Sequence, residues 1–246
     1  GVPCRTGTHV PGLHRQDLSM TRPAFAALTA LLAAAPLAAQ QPRDFGPYLM
    51  ADRAAEIALA RTAAPRNVTD STTILVMTRT GFVEAVHGTN GFTCAVFRSF
   101  AAPSNDPNLW NVKISAPQCF NAPATRTVLP MWLKRMEWIL GGATPADADA
   151  RAARAYASHE FPAPAPGSMA YMLSHEQYLS DSAPHYWKPH LMFFYDRSLP
   201  GSAFGADDGG AVIDGSGAVS DSPMVTILIP VPRWSDGSDA APRPVR

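Results

Sequence analysis

Residues 71–100 constrain the fold more than any other part of the chain. Strand-forming side chains fill 73–78, 82–89 and 92–100, and only short turn-like connections separate them. Arg79-Thr80-Gly81 reads as the first turn. Asn90-Gly91 is the dipeptide that tolerates positive φ at both positions and closes tight hairpins. Parallel neighbours need a long crossover, so three strands joined this tightly predict an antiparallel meander. Pairing Thr89 with Phe92 across the second turn would set His87 opposite Cys94, on the same face of the sheet.

The elements around this block follow from periodicity and breakers. A helix is predicted from Pro47 to about Arg61, with Leu49, Met50, Arg53, Ile57 and Ala60 along one side and Pro65 beyond its end. Residues 101–117 read as a long loop. From Asn121 onward, Leu129, Trp132, Leu133, Met136, Ile139 and Leu140 recur at the spacing of a buried helical face, with Lys134, Arg135 and Glu137 on the other side and Gly141-Gly142 as the stop. Thr144-Pro-Ala-Asp147 is a capping arrangement for an alanine-rich helix reaching about His159. Pro162, Pro164 and Pro166 make the next segment an extended linker.

Further strands are predicted at 168–174, 190–195 and 225–231, where Pro230 implies an edge position or a strand end. In the strand at 190–195, His190, Met192 and Phe194 share one face and Leu191, Phe193 and Tyr195 the other. Both faces are apolar, so both should be covered. The order of elements predicts a single α+β domain over 40–234, with an antiparallel sheet of about five to six strands and helices packed on one face. A disordered tail is expected over 235–246.

The N-terminal region bears on address. Residues 20–39 contain Met20-Thr-Arg-Pro, an apolar run at 24–35 and small residues up to Ala39, the three parts of a secretory signal peptide. The run is shorter than the roughly 20 apolar residues of a membrane span. Cleavage near Ala39 and a periplasmic or secreted chain are therefore expected, with no stable membrane span after cleavage. Residues 1–19 start without Met and carry no targeting pattern, so they read as a non-native upstream segment. Setting aside Arg5, Arg15, Arg22 and Asp17 changes a balance of 20 basic against 20 acidic residues to 17 against 19. That balance, without a basic cluster, gives no electrostatic footprint for nucleic acid. Cys4 falls in the upstream segment, leaving Cys94 and Cys119 as an even pair in an exported chain, for which a disulfide is the expected state.

Chemistry could gather around Ser182-Ala-Pro-His-Tyr-Trp-Lys-Pro-His190, and three readings stay open. The neutral imidazoles of His185 and His190 could hold Zn or Cu, with Glu176 or Asp181 as the base of a metal-assisted hydrolase. Their spacing matches no ligand signature, and Pro189 breaks any helix that would align them. Alternatively, His87, Tyr171, His185, Trp187 and His190 could line a pocket for a small organic molecule, apolar with a few convergent polar groups. In the third reading His190 is a core histidine at a strand end and His185 a loop residue. A reduced Cys94 beside His87 would be a thiolate nucleophile, and Cys94, Cys119, His185 and His190 could complete a zinc site; an oxidising compartment argues against both. There is no Gly-x-Ser-x-Gly elbow, and residues 207–217 lack the alternating acids and terminal Glu of a calcium loop.

Gly88-Thr-Asn-Gly-Phe-Thr-Cys94, Gln118-Cys-Phe-Asn121, Pro166-Gly-Ser-Met-Ala-Tyr-Met172, Pro189-His-Leu-Met-Phe-Phe194 and Trp234-Ser-Asp-Gly237 together resemble a group of uncharacterised exported bacterial proteins, over nearly all of the mature chain. The resemblance implies export and no particular activity or cofactor. The function expected is a non-catalytic small-molecule binding or sensory module. The alternatives are the hydrolase on His185 and His190, the one reading in which Zn has a place, and a structural or interaction domain of the cell envelope.

Overall fold

The structure, a computed structural model, describes residues 43–206, 210–216 and 224–240. The upstream segment, the signal peptide and residues 241–246 lie outside the described residues. So do residues 207–209 and 217–223 of the glycine- and aspartate-rich loop.

β1 (Thr73–Thr78) and β2 (Gly81–Val86) form the predicted antiparallel hairpin. The third strand does not continue it. β3 (Thr93–Phe97) lies on the other side of β1 and runs parallel to it, with Ile74 opposite Cys94. Two features of the connection explain the change. Thr89 and Asn90 both donate their backbone N–H to Ser71 O, and Asn90 donates Nδ2 to Val68 O while its Oδ1 accepts from Phe92 N. Asn90-Gly91 thus bends the chain across the start of β1 instead of back along β2. Only glycine fits beneath that crossing, since a Cβ on Gly88 would lie 2.1 Å from Thr73 N. The burial pattern supplies the driving force. Every residue of β3 is buried, so it needs neighbours on both sides, whereas β2 exposes Val83 and Glu84 and suits an edge.

β4 (Ala116–Phe120) pairs antiparallel with β3. It emerges from what the sequence predicts as loop, and Pro117 hides it. Its pairing with β5 (Met169–Met172) is confined to Cys119 and Phe120, so the missing N–H of Pro117 interrupts no ladder on that side. β6 (His190–Asp196), β8 (Met224–Pro230) and the short β7 (Ile213–Asp214) complete an eight-stranded mixed sheet in the order β2-β1-β3-β4-β5-β6-β8-β7. The α+β class therefore holds, while the strand number and the purely antiparallel arrangement do not. Pro230 ends its strand opposite His190.

The helices are also placed differently from expectation, because they cover both faces. α1 (Arg53–Arg61) starts later than Pro47, which instead sits in a single 3-10 turn at Gly46–Tyr48. Asp52 supplies the cap, its side chain accepting from Ala54 N. α1 and the segment leading to α2 (Arg66–Thr69) press Ala60, Ala63 and Ala64 onto Ile74, Cys94, Val96 and Cys119. On the opposite face lie α3 (Ala122–Thr127), α4 (Leu129–Leu140) and α5 (Pro145–Ala157), capped by Asn121 and Thr144, whose side chains accept from Ala124 N and Asp147 N. Phe97, Phe120, Trp132 and Phe194 interlock at ring separations of 5.5–6.0 Å in the core between α4 and the sheet.

Cys94 and Cys119 are register partners on adjacent strands and form the expected disulfide, fully buried on the α1 face. Buried Arg98 and Glu56 pair at 2.7 Å, with further bonds from Arg98 to Tyr48 O and Val96 O. Beyond β8, Trp234 is buried and Ser235 N donates to Leu173 O. Residues 235–240, expected in the tail, form a turn held by Trp234 N donating to Ser238 O and by an Arg233–Asp239 bridge.

Candidate ligand-binding site

Alternation along the strands sends one set of side chains toward α4 and α5. Phe97, Gln118, Met172, His190, Met192, Thr226 and Leu228 belong to that set, and each lines a cavity of about 800 Å³ between the sheet and the helices. Met131, Trp132 and Arg135 of α4 form part of the opposite wall. Ala146, Ala150 and Ala153 of α5 form another part, where the alanine-rich sequence leaves space that larger side chains would fill. The segment 99–106 after β3 closes a further side. The volume falls in the range of small-molecule sites, and the lining is apolar over most of its surface, with polar side chains on the 98–108 segment and at Gln118, Arg135, Asp149, His190, Ser216 and Thr226.

Three of those polar groups are well defined. Arg135, expected on the exposed side of its helix, is buried; it follows Met131 by four positions and Trp132 by three, so it shares their face. Its Nε donates to Asp149 Oδ1 at 2.6 Å and its Nη1 to Phe100 O at 2.6 Å, leaving Nη2 buried without a partner. Gln118, directly opposite Ala95, is likewise buried, and its Oε1 has no partner. His190 is 3 % exposed. Its Nδ1 lies 2.7 Å from Lys188 O, a group that only accepts, so Nδ1 carries the proton and Nε2 is the acceptor. Burial pushes the His190 pKa down to about 4, against a smaller upward pull from the Lys188 carbonyl. The ring is therefore neutral at physiological pH.

Of the five residues expected to form a site, only His190 lines this cavity. Trp187 packs edge-on against it at 4.5 Å between ring centroids. His185 is exposed, stacks on Tyr178 at 4.8 Å and has its Nδ1 2.9 Å from Ser180 O. Tyr171 is half-buried on the α1 face, against Phe92. His87 does not face Cys94: it is exposed on the connection after β2 and its Nδ1 lies 3.0 Å from Glu84 Oε1. The disulfide also removes the thiolate that His87 would have activated.

Glu176 and Asp181, the candidate bases, are both exposed. Asp181 accepts from Tyr178 Oη, Lys113 Nζ and Asn111 Nδ2, and hydrogen bonds from Tyr178 and Lys113 hold its carboxyl below the usual range. Among the described residues no group of three or more His, Cys, Asp and Glu is placed to hold a metal ion. No described helix is long and apolar enough to cross a membrane.

Sequence reasoning missed Gln118 and Arg135. Gln118 is the one polar residue in a five-residue strand that is buried throughout, a signal concealed because the predicted loop runs to Pro117 and no strand is predicted over 118–120. Set against protein-family models, curated proteins and solved structures, the chain matches none.

Proposed function

We propose that the chain is an exported, non-catalytic module that binds a small organic molecule between its sheet and the α4–α5 pair. The observation that carries this reading is the cavity of about 800 Å³, whose lining includes three buried side chains with unpartnered polar atoms, Ser99, Gln118 and Arg135. Leaving such buried groups unpaired costs free energy, and a ligand that completes them recovers it. His190 adds a neutral acceptor to the same lining. Export is supported by the signal-peptide pattern at 20–39 and is compatible with the disulfide.

Native and denaturing mass spectrometry of the full chain recovered from a bacterial periplasm tests both halves. The expected result is cleavage near Ala39, two oxidised cysteines, and an organic adduct present only in the native spectrum. A bare chain into which no apolar fluorescent probe titrates would remove the binding reading. An uncleaved chain confined to the cytoplasm would remove export.

A further inference from the structure

The charges around the cavity are already matched. Arg98 and Arg135 are the two arginines in its lining; Arg98 is paired with Glu56 at 2.7 Å and Arg135 with Asp149 at 2.6 Å. His190 is neutral, and among the described residues the one other charged side chain of the lining, Asp106, is acidic and half-buried. An anionic ligand would therefore leave water without an uncompensated cation to receive it, and would meet Asp106 as well. Three lining atoms are unsatisfied: Arg135 Nη2 can only donate, Gln118 Oε1 can only accept, and the Ser99 hydroxyl can do either.

Taking the cavity as a binding site, we infer that it selects an uncharged, largely apolar molecule carrying a carbonyl and an N–H or O–H donor, as in a carboxamide. The carbonyl accepts from Arg135 Nη2 and the donor reaches Gln118 Oε1, with His190 Nε2 as a second acceptor. The methionine side chains of Met131, Met172 and Met192 give the apolar part of the wall adaptable shape, so recognition rests on the polar pair more than on a rigid outline.

A matched pair of probes tests this on the intact chain. Naphthalene carboxamide and naphthalene carboxylate share one outline and differ in charge and in the donor. Each is titrated by competition against prodan, an uncharged naphthyl ketone that has no donor. The amide is expected to bind at least about tenfold more tightly than the carboxylate. Gln118→Leu is expected to weaken the amide several-fold more than prodan, which has no donor for Oε1, and so to reduce the preference over the carboxylate to the part that charge alone imposes, with a cooperative melt confirming that the variant folds.

Equal or tighter binding of the carboxylate overturns the inference on the wild-type protein alone, while prodan binding still supports the cavity as a site. Failure of all three probes to bind, or binding unaffected by the cavity-narrowing Met192→Trp, removes the cavity reading itself. The two failures are thus distinguishable.

Discussion

The same strands build two unlike interfaces. On the α1 face, Ile74, Cys94, Val96 and Cys119 meet the small side chains Ala60, Ala63 and Ala64, and the layer is closed by a disulfide. On the other face the sheet presents large residues, yet α5 answers partly with alanine and a cavity remains. Small against small lets backbones approach closely, whereas large against small at a wider separation leaves interior volume. One face is therefore spent on stability, and the other keeps room for a ligand. The cover over the sealed face is incomplete as well: Leu191, Phe193 and Tyr195 of β6 point to that side and are only half-buried, where the sequence predicted two covered faces.

The largest effect should come from the clamp that fixes α1. Glu56 accepts from Arg98 Nη2 and from Met77 N, tying the helix to β1 and to the exit of β3. Glu56→Gln would leave the Arg98 charge buried without its counter-ion, and a loss of about 3–5 kcal/mol in denaturant unfolding is expected. A loss within the range of surface ion pairs would mean that the sealed face is open enough for water to screen the pair. The double variant Cys94→Ala, Cys119→Ala should follow. Its cysteines are 25 residues apart, which in the chain-entropy model corresponds to about 3.5 kcal/mol. An equal melting temperature before and after reduction would contradict that expectation.

His190 gives the cavity side its own signature. Its folded pKa of about 4 lies below the ordinary 6.5, so the unfolded chain takes up the proton first. Stability is then independent of this group above about 6.5 and falls as pH drops from there toward 4, by an amount on the order of 3 kcal/mol. His190→Asn keeps a donor for Lys188 O and cannot titrate, so the difference between its unfolding free energy and the wild-type value should shift across this window. A constant difference would show that His190 is solvated, and that the wall it belongs to is less dry than its burial indicates.

These contrasts explain what could be read from the sequence. The period-three-and-four pattern of α4, the Thr144 cap of α5, the hairpin of β1 and β2, and the strands at β5, β6 and β8 were legible because each rests on neighbours along the chain. The position of β3 was not, since Asn90 forms its bonds to Val68 and Phe92 only when residues 68–71 are in place beneath it. The uncharged run Thr93–Phe97, in contrast to the charged Glu84 of β2, was the sign in the sequence that β3 belongs in the interior of the sheet. For the site, His190 could be singled out by its place at the head of an apolar strand. Gln118 and Arg135 become a pair only through the packing of β4 under α4, a long-range relation with no local pattern.

The smallest effect is also the most direct comparison of the two faces, because it makes one substitution in each. Ala60 of α1 is fully buried against the disulfide layer, so Ala60→Leu must push the helix from the sheet, at a cost of about 1–3 kcal/mol or more. Ala153 of α5 is half-buried and lines the cavity, and leucine is nearly as good a helix former as alanine. Ala153→Leu should therefore change the unfolding free energy by no more than about 0.5 kcal/mol. The new side chain occupies volume that a ligand needs, so prodan affinity should fall while stability stays. Ala60→Leu should do the reverse, lowering stability and leaving the affinity of the folded fraction unchanged. If both substitutions cost the same in stability, the space beside α5 is not available to a side chain, and it would not be available to a ligand either.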